Sequence, residues 1–156
     1  MKVFVHAFAL IFIILIYACE DESSDFCLSN QQSVQAGFYS SYQSTDTDSS
    51  VSDVVIYSIG VDSIPYDTVT VSDVYLPLNM HKDTSRFIIE INELKDTVSF
   101  VHQKELNFVS GECGFVFSFY LDTVLFSDVS FIDSVAIDYD EVIYNENLEN
   151  VKIYLY

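Results

Sequence analysis

Phe115, Phe117 and Phe119 stand at every second position. A repeat of two puts all three rings on one face of an extended strand, and no helix stripe has that period. The same alternation recurs along the chain: Val34, Ala36 and Phe38; Val69 and Val71; Val74 to Leu78; Phe87, Ile89 and Ile91; Val98 and Phe100; Leu106 and Phe108; Val135, Ile137 and Tyr139; Val151, Ile153 and Leu155. Val54 to Ile59 is apolar on both faces, which predicts a central strand covered on two sides. No segment carries a sustained stripe of period 3.6. The pattern predicts an all-β chain, an antiparallel β-sandwich (Ig-like or related) of about eight strands over residues 33–156.

With 13 Phe and 11 Tyr the chain has ample material for a core, so global disorder is excluded. Only two Pro and four Gly are present, so Asp, Asn and Ser must make most of the turns. Gln43 to Asp53, nearly all Ser, Thr and Asp, reads as an exposed loop. Asp-Thr-Val begins at 67, 96 and 122, and Asp-Ser-Val at 133. Their unequal spacing rules out a structural repeat. They read as turn aspartates leading into strands.

The first eighteen residues differ from the rest. Lys2 precedes an unbroken apolar run from Ala7 to Ile16, the length of a secretory signal core and shorter than a spanning helix needs. Ile16-Tyr17-Ala18-Cys19 resembles a lipobox, in which the cysteine thiol is acylated and the chain is cut before it. Residues 1–18 are then a signal peptide, and 19–32 a lipidated tether anchored at Cys19. Glu20-Asp21-Glu22 resembles the export signal that sends lipoproteins of the Bacteroidota to the cell surface. The expected place is the outer membrane, exposed at the surface or otherwise facing the periplasm.

Two further cysteines, Cys27 and Cys113, would meet an oxidising compartment. They form a disulfide or remain two thiols. A bridge across that span contributes roughly 4–5 kcal/mol on the chain-entropy model. No cysteine–histidine cluster has metal-ligand spacing, so no metal is expected.

The formal charge is −18. Without residues 1–18, five basic residues face 24 acidic ones, 5 − 24 = −19. Such a chain repels phosphate backbones, so nucleic acid is not a partner, and its membrane link is the lipid anchor. Past the signal the imidazoles are His81 and His102. No Gly-x-Ser-x-Gly elbow, phosphate loop or His-Glu-x-x-His is present, and no cofactor is implied. Asp46-Thr47-Asp48-Ser49-Ser50 loosely matches the start of a calcium loop but lacks its glycine and closing glutamate. Tyr154 and Tyr156 could form an outer aromatic patch.

Several segments together resemble a family of short Bacteroidota lipoproteins of unknown function, domain-of-unknown-function family 6452. They are Phe108-Val-Ser-Gly-Glu-Cys113-Gly-Phe115, Val74-Tyr-Leu-Pro-Leu-Asn79, the tail Asn145 to Tyr154, and Cys27 shortly after Cys19. The resemblance implies an envelope address, a β-rich domain and a pairing of Cys27 with Cys113. It supplies no catalytic residues. The functional expectation is a non-catalytic binding or structural module whose partner is an envelope protein or glycan. The rival is an envelope hydrolase whose site is assembled from scattered Ser, Asp and His; it requires a deep pocket with His81 or His102 beside a carboxylate.

Overall fold

The computed structural model of the 156-residue chain describes residues 32–60, 65–111, 114–127, 129–142 and 148–156. Cys19, Cys27 and Cys113 lie outside them, so the lipid anchor and the disulfide are not part of the geometry below. Among the described residues all regular structure is extended: β1 (Ser33–Ser40), β2 (Val51–Ser58), β3 (Tyr66–Val71), β4 (Asp73–Pro77), β5 (Thr84–Ile91), β6 (Leu94–Ser110), β7 (Gly114–Phe126), β8 (Ile132–Ile137), β9 (Glu141–Val142) and β10 (Val151–Leu155).

These strands form a four-stranded sheet in the order β4-β1-β10-β8 and a six-stranded sheet in the order β3-β2-β5-β6-β7-β9. One apolar core holds side chains of both. Val34, Ala36, Phe38, Leu76, Ile132 and Ile153 from the first meet Val54, Ile56, Phe87, Ile89, Phe100 and Phe119 from the second. The architecture is the sandwich that the alternation predicts. Phe87 and Phe100 meet edge to face with centroids 6.0 Å apart. Complete burial of one such ring contributes about 1.5–3 kcal/mol.

The chain departs from the sequence expectation at several places. The central pair of the smaller sheet, β1 and β10, runs parallel, with Ala36 opposite Val151 and Phe38 opposite Ile153. Nothing in a strand's own alternation encodes the direction of its partner. Strand β2 begins at Val51, inside the stretch read as loop. It is buried on one face only: Val54 and Ile56 are inside, while Val55 and Tyr57 are half-buried. Asp67, Asp96, Asp122 and Asp133 all lie within strands, not in the turns before them.

The longest departure is the β6–β7 hairpin. Strand β5 pairs with β6 only as far as Val101, and β9 meets β7 only at Phe119 and Tyr120. Beyond these positions β6 and β7 continue as a two-stranded arm, with Leu106 opposite Phe117 and Phe108 opposite Phe115. The alternation persists, but the second sheet does not follow it. Leu106, Phe108 and Phe115 are 54%, 61% and 64% exposed, where core positions were expected. At the tip Gly114 holds φ at 67°, a left-handed conformation that explains a glycine directly after Cys113.

Where the chain leaves β7 for β8, and so changes sheet, Asp96 holds the crossing. Its buried carboxylate accepts the backbone N–H groups of Ser130 (3.2 Å), Phe131 (2.8 Å) and Ile132 (3.0 Å), and the Ser127 hydroxyl (3.1 Å).

Candidate functional site

Strand β4 ends at Pro77 on the edge of its sheet, where a missing N–H donor disturbs no ladder. The connection that follows, Leu78 to Asp83, must cross to β5 in the other sheet. It is tied at every stage. The Leu78 N–H donates to the Gln32 carbonyl at 2.9 Å. Asn79 Oδ1 accepts the His81 N–H at 2.8 Å, an Asx turn. Lys104 Nζ donates to the Met80 carbonyl at 2.6 Å, and the His102 N–H donates to the Asp83 carbonyl at 2.9 Å.

Opposite this connection stand the end of β2 and the residue that enters β3. Between them lies a cleft of about 420 Å3 lined by Ser58, Ile59, Pro65, Pro77 to Lys82 and Thr84 to Arg86. That volume is in the range of small-ligand sites. Ile59, Pro65, Pro77, Leu78 and Met80 supply apolar wall, and His81, Lys82 and Arg86 supply nitrogen.

Among the described residues the cleft cations lack the acid partners that Lys95 and Lys152 have. Lys95 pairs with Glu90 at 3.2 Å, and Lys152 with Asp46 at 3.0 Å and Asp138 at 3.3 Å. Among the described residues no carboxylate comes within 4.0 Å of Lys82 or Arg86. Arg86 Nε donates to Ser99 Oγ at 3.2 Å, which fixes the plane of the guanidinium. Asp83, between the two cations in sequence, accepts the Thr84 hydroxyl at 3.4 Å and does not line the cleft.

Behind the cleft wall Ser85 Oγ lies 2.9 Å from His102 Nε2. The two residues are 4% and 2% exposed. The Asn79 N–H also donates to Ser85 Oγ, at 2.7 Å. The His102 ring meets Phe119 edge to face, and burial holds the imidazole below its ordinary range, partly opposed by Asp83 and Asp122. Among the described residues no carboxylate hydrogen-bonds this ring. Of the two imidazoles, His81 lies on the rim of the cleft and His102 behind it; among the described residues neither ring has the hydrogen bond to a carboxylate that a triad requires.

The other polar cluster is self-contained. Tyr39 donates to Glu149 at 2.9 Å, Tyr154 donates to Asp46 at 3.2 Å, and the Lys152 ammonium lies 5.7 Å from the centre of the Tyr39 ring. Asp46, read as a possible calcium ligand, is thus engaged by Lys152 and Tyr154. Tyr154 packs on Tyr39 with centroids 5.8 Å apart, while Tyr156 is exposed. No group of three or more His, Cys, Asp or Glu among the described residues is placed to hold a metal ion.

Sequence reasoning missed Lys82 and Arg86. The available signal was scarcity: a chain with six basic residues sets these two four positions apart, on either side of a strand start.

No curated protein and no solved structure matches this chain. A family model does, over residues 53–155, a span that takes in most of β2 and all of β3 to β10 and leaves out β1 and Cys27. The chain therefore belongs to the family of unknown function DUF6452.

Proposed function

We propose that this protein is a lipid-anchored module of the cell envelope that binds an envelope protein or glycan without chemically changing it. Acylation at Cys19 follows from the apolar run and the small residue before it, and the acidic residues 20–22 suit display at the cell surface. A bridge from Cys27 to Cys113 would tie the tether to the segment of chain between β6 and β7.

The observation that carries the binding reading is the cleft. Its rim is held by hydrogen bonds to Gln32, just before β1, and to β6, so little ordering remains when a ligand enters. Against turnover stands the use already made of the hydroxyl beside His102. Ser85 Oγ accepts a backbone N–H, contacts the His102 ring and is shielded from solvent. The Ser85–His102 contact is the feature that favours the hydrolase reading, and Ser85→Ala tests it. Ester hydrolysis by the native protein that this change abolishes would establish the enzyme.

The binding reading is tested on whole cells, with a photo-cross-linking residue in place of Met80 on the cleft rim. A discrete adduct, absent when the cross-linker replaces exposed Leu94, is the expected result. No adduct at Met80 refutes use of the cleft. Mass spectrometry of the same material should find a diacylglyceryl group on Cys19, and protease treatment of intact cells should remove the domain. An unmodified Cys19 refutes the anchor, and complete protection places the domain on the periplasmic side.

A further inference from the structure

We propose that the cleft recognises an anion: a carboxylate or phosphate group carried on a small, partly apolar ligand. The inference rests on the cleft being the binding site and adds the chemistry of what enters it.

The argument begins with charge placement. Past the signal only five basic residues stand against 24 acidic ones. Lys104 turns to the Met80 carbonyl and the Phe117 ring, but Lys95 and Lys152 find acid partners in this surplus of carboxylates. Lys82 and Arg86 do not, and both line one concave site. The Arg86 hydrogen bond to Ser99 uses Nε and orients the group. Among the described residues the terminal nitrogens of Arg86 have no hydrogen-bond acceptor. A guanidinium fixed in plane with its outer donors open is suited to bidentate contact with a carboxylate or phosphate. Lys82 adds a point charge from the exposed connection before β5.

The overall negative charge does not forbid this. Fields from carboxylates beyond about 8 Å are largely screened at physiological salt, while two cations at a low-dielectric wall act at contact. The exposed apolar residues Ile59 and Met80 give the rest of a ligand a surface to cover, so an anion with an apolar body gains contact beyond that of its charge.

The test uses the full chain in nonionic detergent, titrated by calorimetry and amide NMR with glucuronate, glucose and inorganic phosphate. Glucuronate or phosphate should move the amides of Met80, Lys82 and Thr84, and glucose should not. Binding of glucuronate alone assigns a carboxylate, of phosphate alone a phosphate, and of both a general anion site. Arg86→Met should weaken binding about tenfold, as loss of a charge-assisted pair does. Lys82→Met, on an exposed connection where folding is not at risk, should weaken it about threefold. Lys95→Met, whose charge is paired elsewhere, should leave it unchanged. The proposal is overturned if neither anion binds, if glucose binds as well as glucuronate, or if both cleft variants bind like the native chain. A Met80 cross-link that persists without anion binding would sink the anion proposal alone; loss of both would sink the cleft as well.

Discussion

Asp96 Oδ2 accepts the backbone N–H of Phe131 at 2.8 Å, so a carboxylate on β6 fixes the point where the chain leaves one sheet for the other. The same carboxylate accepts from Ser130, Ile132 and Ser127 and is 1% exposed. Asp96→Ala would leave these donors facing an empty site that solvent hardly reaches. A single hydrogen bond to a charged group is worth about 1.5–3 kcal/mol, and bonds sharing one acceptor are not additive. Urea unfolding should show a loss of about 3–4 kcal/mol for Asp96→Ala and about 1 kcal/mol for Ser127→Ala. Equal, small losses would mean that the crossing is held by packing alone.

Gly37 and Glu149 share one space. A Cβ built on Gly37 would run into the Glu149 carboxylate and crowd the Tyr39 ring at 2.9 Å. Glycine in a strand costs backbone entropy, and here it makes room for the Glu149–Tyr39 hydrogen bonds. Gly37→Ala should destabilise the fold by about 1–3 kcal/mol, since the carboxylate must move off the phenol. Adding Glu149→Ala should cost less in the Gly37→Ala background than in the native one. A double-mutant cycle measures the coupling, and strict additivity would show that the two residues do not compete for the same volume.

The fold class was legible because a period of two survives in almost every strand, and Phe87, Ile89 and Ile91 are buried as the alternation predicts. What it could not carry was partnership. The parallel β1–β10 pair joins residues far apart in sequence, and neither strand's pattern distinguishes it from an antiparallel neighbour. The β6–β7 arm shows the converse: Phe115 and Phe119 occupy equivalent phases of one strand, yet only Phe119 belongs to the buried core. The cleft was illegible for a similar reason. Ile59, Pro77 and Arg86 converge through the meeting of two sheets, and only the shortage of cations hinted at the last of them.

The β5–β6 hairpin turns on two residues, Asn92 and Glu93, with φ of 50° and 67°. Both positions of such a tight turn need the left-handed region, where Asn is tolerated and a longer side chain is strained. Glu93→Gly should relieve that strain. Left-handed backbone costs roughly 1–2 kcal/mol for a residue with a Cβ, and the extra freedom of glycine in the unfolded chain returns part of it. The net gain expected in urea unfolding is about 0.5–1 kcal/mol, with Ile91 and Leu94 still paired. A loss of stability would mean that the Glu93 side chain contributes more than its backbone costs.

His102 makes stability depend on pH with a definite sign. Burial beside Phe119 holds the folded imidazole below its ordinary value of 6.5, so the folded state takes up a proton less readily than the unfolded chain. Well above pH 6.5 neither state is charged at this ring and stability is unaffected. As pH falls towards and through that value the unfolded chain gains the proton first. Stability therefore drops until the folded ring also titrates, with a slope no steeper than about 1.4 kcal/mol per pH unit. Glu149 acts in the opposite sense: burial raises its carboxyl above 4.5, so the folded state gains on acidification. The two are separated by difference. Urea midpoints between about pH 7.5 and 5.5 should fall for the native protein and stay nearly level for His102→Gln. An equal fall in both would assign the acid sensitivity to carboxylates and leave His102 as a neutral spacer between Ser85 and the core.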